Sequence, residues 1–391
     1  MADWNKAFGR FLDRVDNKID EQRRRLGATG GAGKVARIDA YRGYGTPERA
    51  FVRGRVLRGS PIPAADAADS VWLNLASMVQ RFESDEVPRA RVRVVFAGGE
   101  RTVTTDDEGY FECEVDPRPP FAPNAIWHEV VLELLEPLEG DEPVRTLAHV
   151  MVPPAASAFG VISDLDDTVI RTGVASKLRM ARTVFFGNAR TRAPFPGVAA
   201  FYRALQHGTG AAPFNPIFYV SSSPWNLHDL LAEFLTLQKI PLGPLLLRDW
   251  GLSGEVLPTS NEEHKMRAIE RIMTHYPTLP FILVGDTSQE DPEIYSRVVH
   301  SYPNRIPAVY IRNVEARPER VEAIRALAAE VEKAGSALVL ADDTLAAAEH
   351  AVSRGWIASD ALAEIRAEAD ASTQPRASAA GEEVNEELST E

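Results

Sequence analysis

Three apolar runs in this chain end in polar clusters whose residue types suit work on a phosphate ester. Asp164-Leu165-Asp166-Asp167-Thr168 follows GVIS, Ser221-Ser222-Ser223 follows PIFYV, and Gly285-Asp286-Thr287-Ser288-Gln289-Glu290-Asp291 follows FILV. Lys265 opens a helical pattern between the second and third clusters. If the runs are neighbouring parallel strands, their ends share one rim, where several carboxylates meet one lysine and one serine. Carboxylates crowded into a cleft repel, and they take up protons or a hard cation. Mg2+ prefers oxygen ligands in octahedral geometry and keeps waters or a substrate phosphate. With Mg2+ bound, Asp164 can stay ionised and attack phosphorus as a nucleophile. Asp166, two positions on, can protonate the leaving oxygen and then deprotonate the attacking water. Lys265 and Ser221 can hold the phosphoryl oxygens, where charge sits in the transition state. Asp286 completes the metal site, and Asp291 binds a metal-bound water or orients Lys265.

Taken singly, each string has a plainer reading. DLDDT reads as an acidic turn or helix N-cap, GDTSQED as a surface loop, SSSP as a hydroxyl turn, and Lys265 as solvated. Four of them in this order, each after a strand or at a helix start, argue for a site, because structural context is the test of a motif.

The elements that must position these residues follow from hydrophobic periodicity. From Phe159 onward, apolar runs alternate with helical patterns near 197–207, 226–237, 261–276, 317–334 and 344–354. Such alternation implies an α/β unit, a Rossmann-like parallel sheet covered on both faces, with ligands at the C-terminal strand ends. From about 49 to 152 the period falls to two, as in ARVRVVF (90–96) and YFECEV (110–115), with turn material such as DDEG (106–109) between. This stretch reads as a small all-β sandwich. Residues 3–26 read as an amphipathic N-terminal helix, with Trp4, Phe8, Phe11, Leu12, Val15 and Ile19 at helical spacing. That helix packs on its own domain or lies on a membrane. The expected division is a helix and linker over 1–35, the sandwich over 45–153, the catalytic unit over 157–371 and a disordered acidic tail over 372–391.

Composition narrows the classes. The chain has 391 residues with 43 Lys+Arg against 56 Asp+Glu, a net charge of −13. Such a balance makes nucleic acid a poor general partner. The single cysteine, Cys113, excludes an internal disulfide and a multi-cysteine zinc site. The N-terminus shows no signal-peptide apolar core, and no run of about 18 apolar residues occurs. The expectation is a soluble, cytoplasmic, multidomain protein.

The four strings together resemble the haloacid dehalogenase-like superfamily of phosphotransferases, over residues 159–310. The resemblance implies Asp164 as nucleophile, Asp166 as acid and base, and phosphate contacts from Ser221, Lys265 and Thr168. It implies Mg2+ held by Asp164, Asp286 and the backbone carbonyl of Asp166, with Asp291 beside them. Longer strings carry a narrower resemblance: SDLDDTV, PFPGV (194–198), FYVSSSPWNL (218–227) and GDTSQEDPEIY (285–295), preceded by a sandwich. They look like the actin-patch-protein family of Mg2+-dependent phosphatidate phosphatases. That resemblance implies hydrolysis of phosphatidate to diacylglycerol and phosphate. Nothing in the chain resembles the cytoskeletal segments of the fungal members, so an actin connection does not carry over.

One stretch bears on a lipid substrate directly. From Arg171 to Arg192 there are six basic residues (Arg171, Lys177, Arg179, Arg182, Arg190 and Arg192), no acidic one, and Leu178, Met180, Val184, Phe185 and Phe186 among them. As a small flap over the site (171–195), it would suit an anionic headgroup with acyl chains behind it, at the face of a membrane. The alternative is an ordinary helix with its phenylalanines packed inward and its arginines solvated. Competing functions are a phosphatase for a soluble sugar, nucleotide or protein phosphate, and a non-catalytic binding scaffold. A phosphomutase is disfavoured, because it needs a cap large enough to exclude water.

Overall fold

The structure, a computed structural model, describes residues 35–59, 85–120, 125–137, 143–166, 168–170, 194–210, 214–248, 260–314 and 316–373. The expected N-terminal helix, residues 171–193 of the flap with Arg171, Lys177, Arg179 and Arg182, and the tail from 374 onward lie outside the described residues.

Among the described residues the N-terminal half builds nine strands: β1 (Ala36–Ala40), β2 (Gly43–Thr46), β3 (Arg49–Arg58), β4 (Asp85–Glu86), β5 (Arg91–Phe96), β6 (Gly99–Thr104), β7 (Tyr110–Val115), β8 (Trp127–Glu136) and β9 (Arg145–Met151). Alternation decides their faces. In β5, Val92, Val94 and Phe96 are buried while Arg91 points to solvent. The described strands join in one hydrogen-bonded sheet, in the order β1-β3-β2-β9-β8-β5-β6, with β4 and β7 also on β3. Two separately bonded sheets, as a sandwich would have, are not what the ladder draws. The sheet instead folds over its own apolar face. β7, bonded to β3, lies against β5 and β6, and Arg101 Nη1 of β6 donates to the Glu114 carbonyl of β7 at 3.2 Å. Val52, Val56, Val94, Phe111, Leu132 and Val150 fill the enclosed core. The pairing is antiparallel except between β2 and β9, which run parallel through Gly43–Val150 and Tyr44–Met151. The sheet starts at Ala36, ahead of the expected boundary near 45.

The C-terminal half is an α/β unit. Its strands are β10 (Gly160–Ser163), β11 (Ile217–Pro224), β12 (Leu245–Arg248), β13 (Phe281–Asp286), β14 (Ala308–Arg312) and β15 (Ala337–Ala341). They pair in parallel throughout, in the order β12-β11-β10-β13-β14-β15. Its helices are α1 (Val198–His207), α2 (His228–Leu237), α3 (Asn261–His275), α4 (Asp291–Ser301), α5 (Pro318–Lys333), α6 (Thr344–Ser353) and α7 (Ala361–Thr373). Both faces of the sheet are buried, which is why its strands read as continuous apolar runs. Successive residues go to opposite sides. Val161, Ile217, Tyr219, Ile282 and Tyr310 pack with α1, α2, α6 and α7. Ile162, Phe218, Val220, Leu283 and Val309 pack with α3, α4 and α5. Tyr44 and Met151 of the first sheet join this second cluster, so the two halves share a core.

Candidate active site

β10 lies at the centre of the parallel sheet, between β11 and β13, and chain order switches direction there. A crevice at the C-terminal strand ends follows from such a switch. Asp164 is the first residue past β10, Ser221 to Ser223 close β11, and Asp286 is the last residue of β13. Lys265 sits in the second turn of α3, whose start is fixed by a capping box: Glu263 N–H donates to Ser260 Oγ, and Ser260 N–H donates to the Glu263 carboxylate. Asp291 opens α4 directly after the β13 loop.

The structure brings these residues together, all of them buried. Lys265 Nζ donates to Asp291 Oδ1 and lies 3.2 Å from Asp164 Oδ1. Asp291 Oδ2 in turn accepts from the Asp286 N–H at 3.2 Å. Asp166 Oδ2 accepts from Ser221 Oγ at 3.0 Å and from Ser223 Oγ at 3.3 Å. Thr168 Oγ1 donates to Asp286 Oδ2 at 3.1 Å, and the Ser288 N–H donates to Asp286 Oδ1 at 2.6 Å. Thr168 therefore holds the Asp286 carboxylate, while Ser221 holds Asp166. Gly285 lets Asp291 come this close. A Cβ there would stand 2.5 Å from Asp291 Oδ2 and 2.8 Å from the Tyr295 ring.

The electrostatics follow from burial. It pushes the Asp164 carboxyl well above the usual carboxylate range. Lys265 pulls it back, and Asp291, Asp166 and Asp286 add to the rise. Burial and the charge of Asp291 carry Asp286 to about 7, against the opposing Ser288 hydrogen bond and Lys265. Burial alone would lower Lys265, but Asp164 and Asp291 hold it above its ordinary value as a firmly charged ammonium. Four buried carboxylates thus face one buried cation, an imbalance that calls for protons or a further cation. Oxygen atoms of Asp164, Asp286 and Asp291 all lie within 4.8 Å of one another. This hard, all-oxygen donor set fits a divalent cation.

Other residues of this site went unread in the sequence. Gln289 Nε2 donates to Asp164 Oδ2 at 3.3 Å, and Arg320 Nη2 of α5 holds the Gln289 carbonyl at 2.8 Å. Ser223 shares Asp166 with Ser221, and its spacing of two along β11 is the signal that placed both on one face. Tyr202 OH bonds Ser163 Oγ at 2.6 Å, and Ser163 Oγ donates to the Asp164 carbonyl. His264 precedes Lys265 on α3. It is half-buried, with Nε2 3.1 Å from the Ser221 carbonyl, and burial with nearby Arg248 brings it down to about 4. The acidic string LADDT (340–344) is the end of a strand followed by an N-cap: Asp343 Oδ1 accepts from the Ala346 N–H at 2.8 Å. Among the described residues no helix is long and apolar enough to cross a membrane.

Comparison with known proteins places this geometry. Residues 159–313 match the family model of the catalytic domain of phosphatidate phosphatase APP1. Phosphatidate phosphatase APP1 of Saccharomyces cerevisiae is 33% identical over 209 residues, 52% of this chain and 33% of that protein. An uncharacterized protein of Schizosaccharomyces pombe is 28% identical over 213 residues, 53% of this chain and 33% of its own length. The alignments thus span about a third of the length of these relatives. A solved carbohydrate acetylesterase from Xanthomonas citri covers 74% of this chain and 72% of its own at 12% identity, with a TM-score of 0.26, a likeness that carries no argument. The matched segment holds Asp164, Asp166, Ser221, Lys265, Asp286 and Asp291, so the residues of the site lie where this chain is similar to the catalytic domain of phosphatidate phosphatase APP1.

Proposed function

We propose that this protein is a Mg2+-dependent phosphatidate phosphatase, releasing diacylglycerol and phosphate through an aspartyl-phosphate on Asp164. The observation that carries the reading is the buried Asp164–Asp286–Asp291 cluster on Lys265, inside a segment matched to that catalytic family. Asp164, Asp286 and Asp291 would hold the cation, with the carbonyl of Asp166. The bound ion supplies charge neutralisation, which keeps Asp164 ionised and screens an incoming phosphate from the carboxylates.

The rest falls to side chains. Asp164 attacks phosphorus as the bond from phosphorus to the glycerol oxygen breaks, and Asp166 gives that oxygen its proton. The Asp166 carboxylate then takes a proton from water, whose oxygen displaces Asp164 and frees phosphate. Ser221 and Ser223 keep Asp166 turned toward the β11 side of the crevice. Lys265, locked by Asp291, offers fixed positive charge to the transferring group. On this reading the α/β unit is haloacid dehalogenase-like, the folded-over β sheet is a sandwich relative, and the protein works in the cytoplasm at a membrane face. The basic residues Arg171, Lys177, Arg179 and Arg182 would receive the anionic lipid.

The test is phosphate release from phosphatidate in mixed micelles, with Mg2+ or with EDTA, beside a panel of soluble esters. Asp164→Asn changes the nucleophile with almost no change of shape. Mg2+-dependent turnover of phosphatidate that Asp164→Asn abolishes is the expected outcome. Turnover of soluble esters alone would remove the lipid assignment, and near-normal turnover by Asp164→Asn would remove the nucleophile.

A further inference from the structure

The β sheet reaches the α/β unit at the two elements that carry Ser221 and Lys265, and it grips both through one carboxylate. Trp225 follows Pro224 at the end of β11. Its ring is stacked on Tyr41, with centroids 4.8 Å apart, and the Arg53 guanidinium lies over it, 4.3 Å from its centroid. Arg53 Nη1 donates to Glu112 Oε2 of β7 at 2.9 Å. Arg271, on α3 with Lys265, donates to both oxygens of the same carboxylate, Nη1 to Oε2 at 3.1 Å and Nη2 to Oε1 at 3.2 Å. The Arg271 guanidinium lies 5.0 Å from the Phe51 ring centroid, and Tyr276 OH, just past α3, donates to the Gly45 carbonyl at 3.1 Å.

We propose that Glu112 is a positioning residue for the phosphate-binding side of the site, setting the separation of Ser221 and Lys265 by tying Arg53 on Trp225 to Arg271 on α3. The proposal rests on the phosphatase reading. An exposed ion pair by itself contributes little. Here both guanidiniums are planar forks held against aromatic rings, so their geometry is set before the carboxylate joins them. Asp164 follows β10, Asp286 ends β13 and Asp291 opens α4, and none of these three elements carries a residue of the clamp. Positioning and mere fold maintenance therefore differ in what they disturb. Loosening the clamp moves the serine strand end and the lysine helix, while Asp286 and Asp291 keep the hydrogen bonds from Thr168, the Ser288 N–H and the Asp286 N–H that hold them apart from it.

The experiment compares wild type, Glu112→Gln and Arg271→Lys in the full chain. Arg271→Lys keeps the charge and loses the two-pronged contact, which guards against a variant that fails to fold. Calorimetry measures Mg2+ binding alone and inorganic phosphate binding with Mg2+ present, and phosphatidate turnover gives kcat and KM. The expected result is phosphate affinity and kcat down about tenfold in both variants, with Mg2+ affinity unchanged. Phosphate affinity and kcat within about twofold of wild type overturn the proposal, and so do Mg2+ and phosphate affinity falling together. Wild type that neither binds phosphate nor releases it from any ester refutes the phosphatase reading itself. Normal wild type with normal variants refutes only the clamp.

Discussion

Asp286→Asn isolates the charge imbalance of the site. Asp286 is buried and its carboxyl is raised to about 7 from an ordinary 3.8. A carboxyl raised in the folded state keeps its proton there up to about pH 7, while the unfolded chain gives it up near 4. Its contribution to stability is therefore full below about pH 4 and is lost as pH climbs from 4 to 7. The rise of about 3 units, at about 1.4 kcal/mol each, sets a ceiling of about 4 kcal/mol on the cost of ionised Asp286 at pH 8 without metal. Asparagine removes that cost and keeps the contacts. Its oxygen can accept from the Ser288 N–H, and its amide can donate to Thr168 Oγ1, which then turns from donor to acceptor. In EDTA, Asp286→Asn should melt higher than wild type at pH 8, by up to about 10 °C, and by less than half as much at pH 5. Added Mg2+ should raise wild type at pH 8 and leave the variant where it was. Differential scanning calorimetry at the two pH values reads all of this. A variant that melts lower at pH 8, or that shifts equally at both pH values, refutes the reasoning.

Two further substitutions probe the same cluster. Lys265→Met leaves Asp164 and Asp291 without their buried partner, and urea denaturation at pH 8 in EDTA should show a loss of about 3–5 kcal/mol; unchanged stability would mean that the lysine does not balance those carboxylates. Gly285→Ala puts a methyl group against Asp291 and Tyr295, which should cost about 1–3 kcal/mol and weaken Mg2+ binding in a calorimetric titration. Wild-type affinity in that variant would show that Asp291 has freedom to move away.

The site was legible because its residues come in short strings at the C-terminal ends of parallel strands. There, adjacency in sequence and adjacency in space coincide. Asp164, Ser221 and Asp286 were readable for that reason, and Lys265 from the helical pattern that it opens. The partners of Asp166 were less so, since which serine turns inward depends on the pleat at the end of β11. Gln289 looked like loop filler, and only the hold of Arg320 on its carbonyl aims it at Asp164. Glu112, Arg53 and Arg271 come from three elements, and no local pattern marks them. β6 gives little strand signal, because its residues are mostly exposed and polar, without apolar alternation. β1 and β2 are short, and GYGT carries two glycines, so neither gave a strand signal. Five helices of the α/β unit, with clear periodicity, lie within a residue or two of where the pattern puts them, whereas α4 and α7 were not among the expected helices.

The parallel pairing of β2 with β9 has a consequence for the order in which the chain assembles. β1, β3 and β7 find antiparallel partners among the first 115 residues. β2 finds its parallel neighbour only when Val150 and Met151 have emerged from the ribosome. Closing so long a loop is slow, and the open edge of β2 stays unpaired meanwhile. Once it closes, β10 begins nine residues later. The strand that leads to Asp164 therefore follows hard on the last strand of the sheet, and Tyr44 and Met151, on the two strands that close it, present part of the surface on which the second half packs.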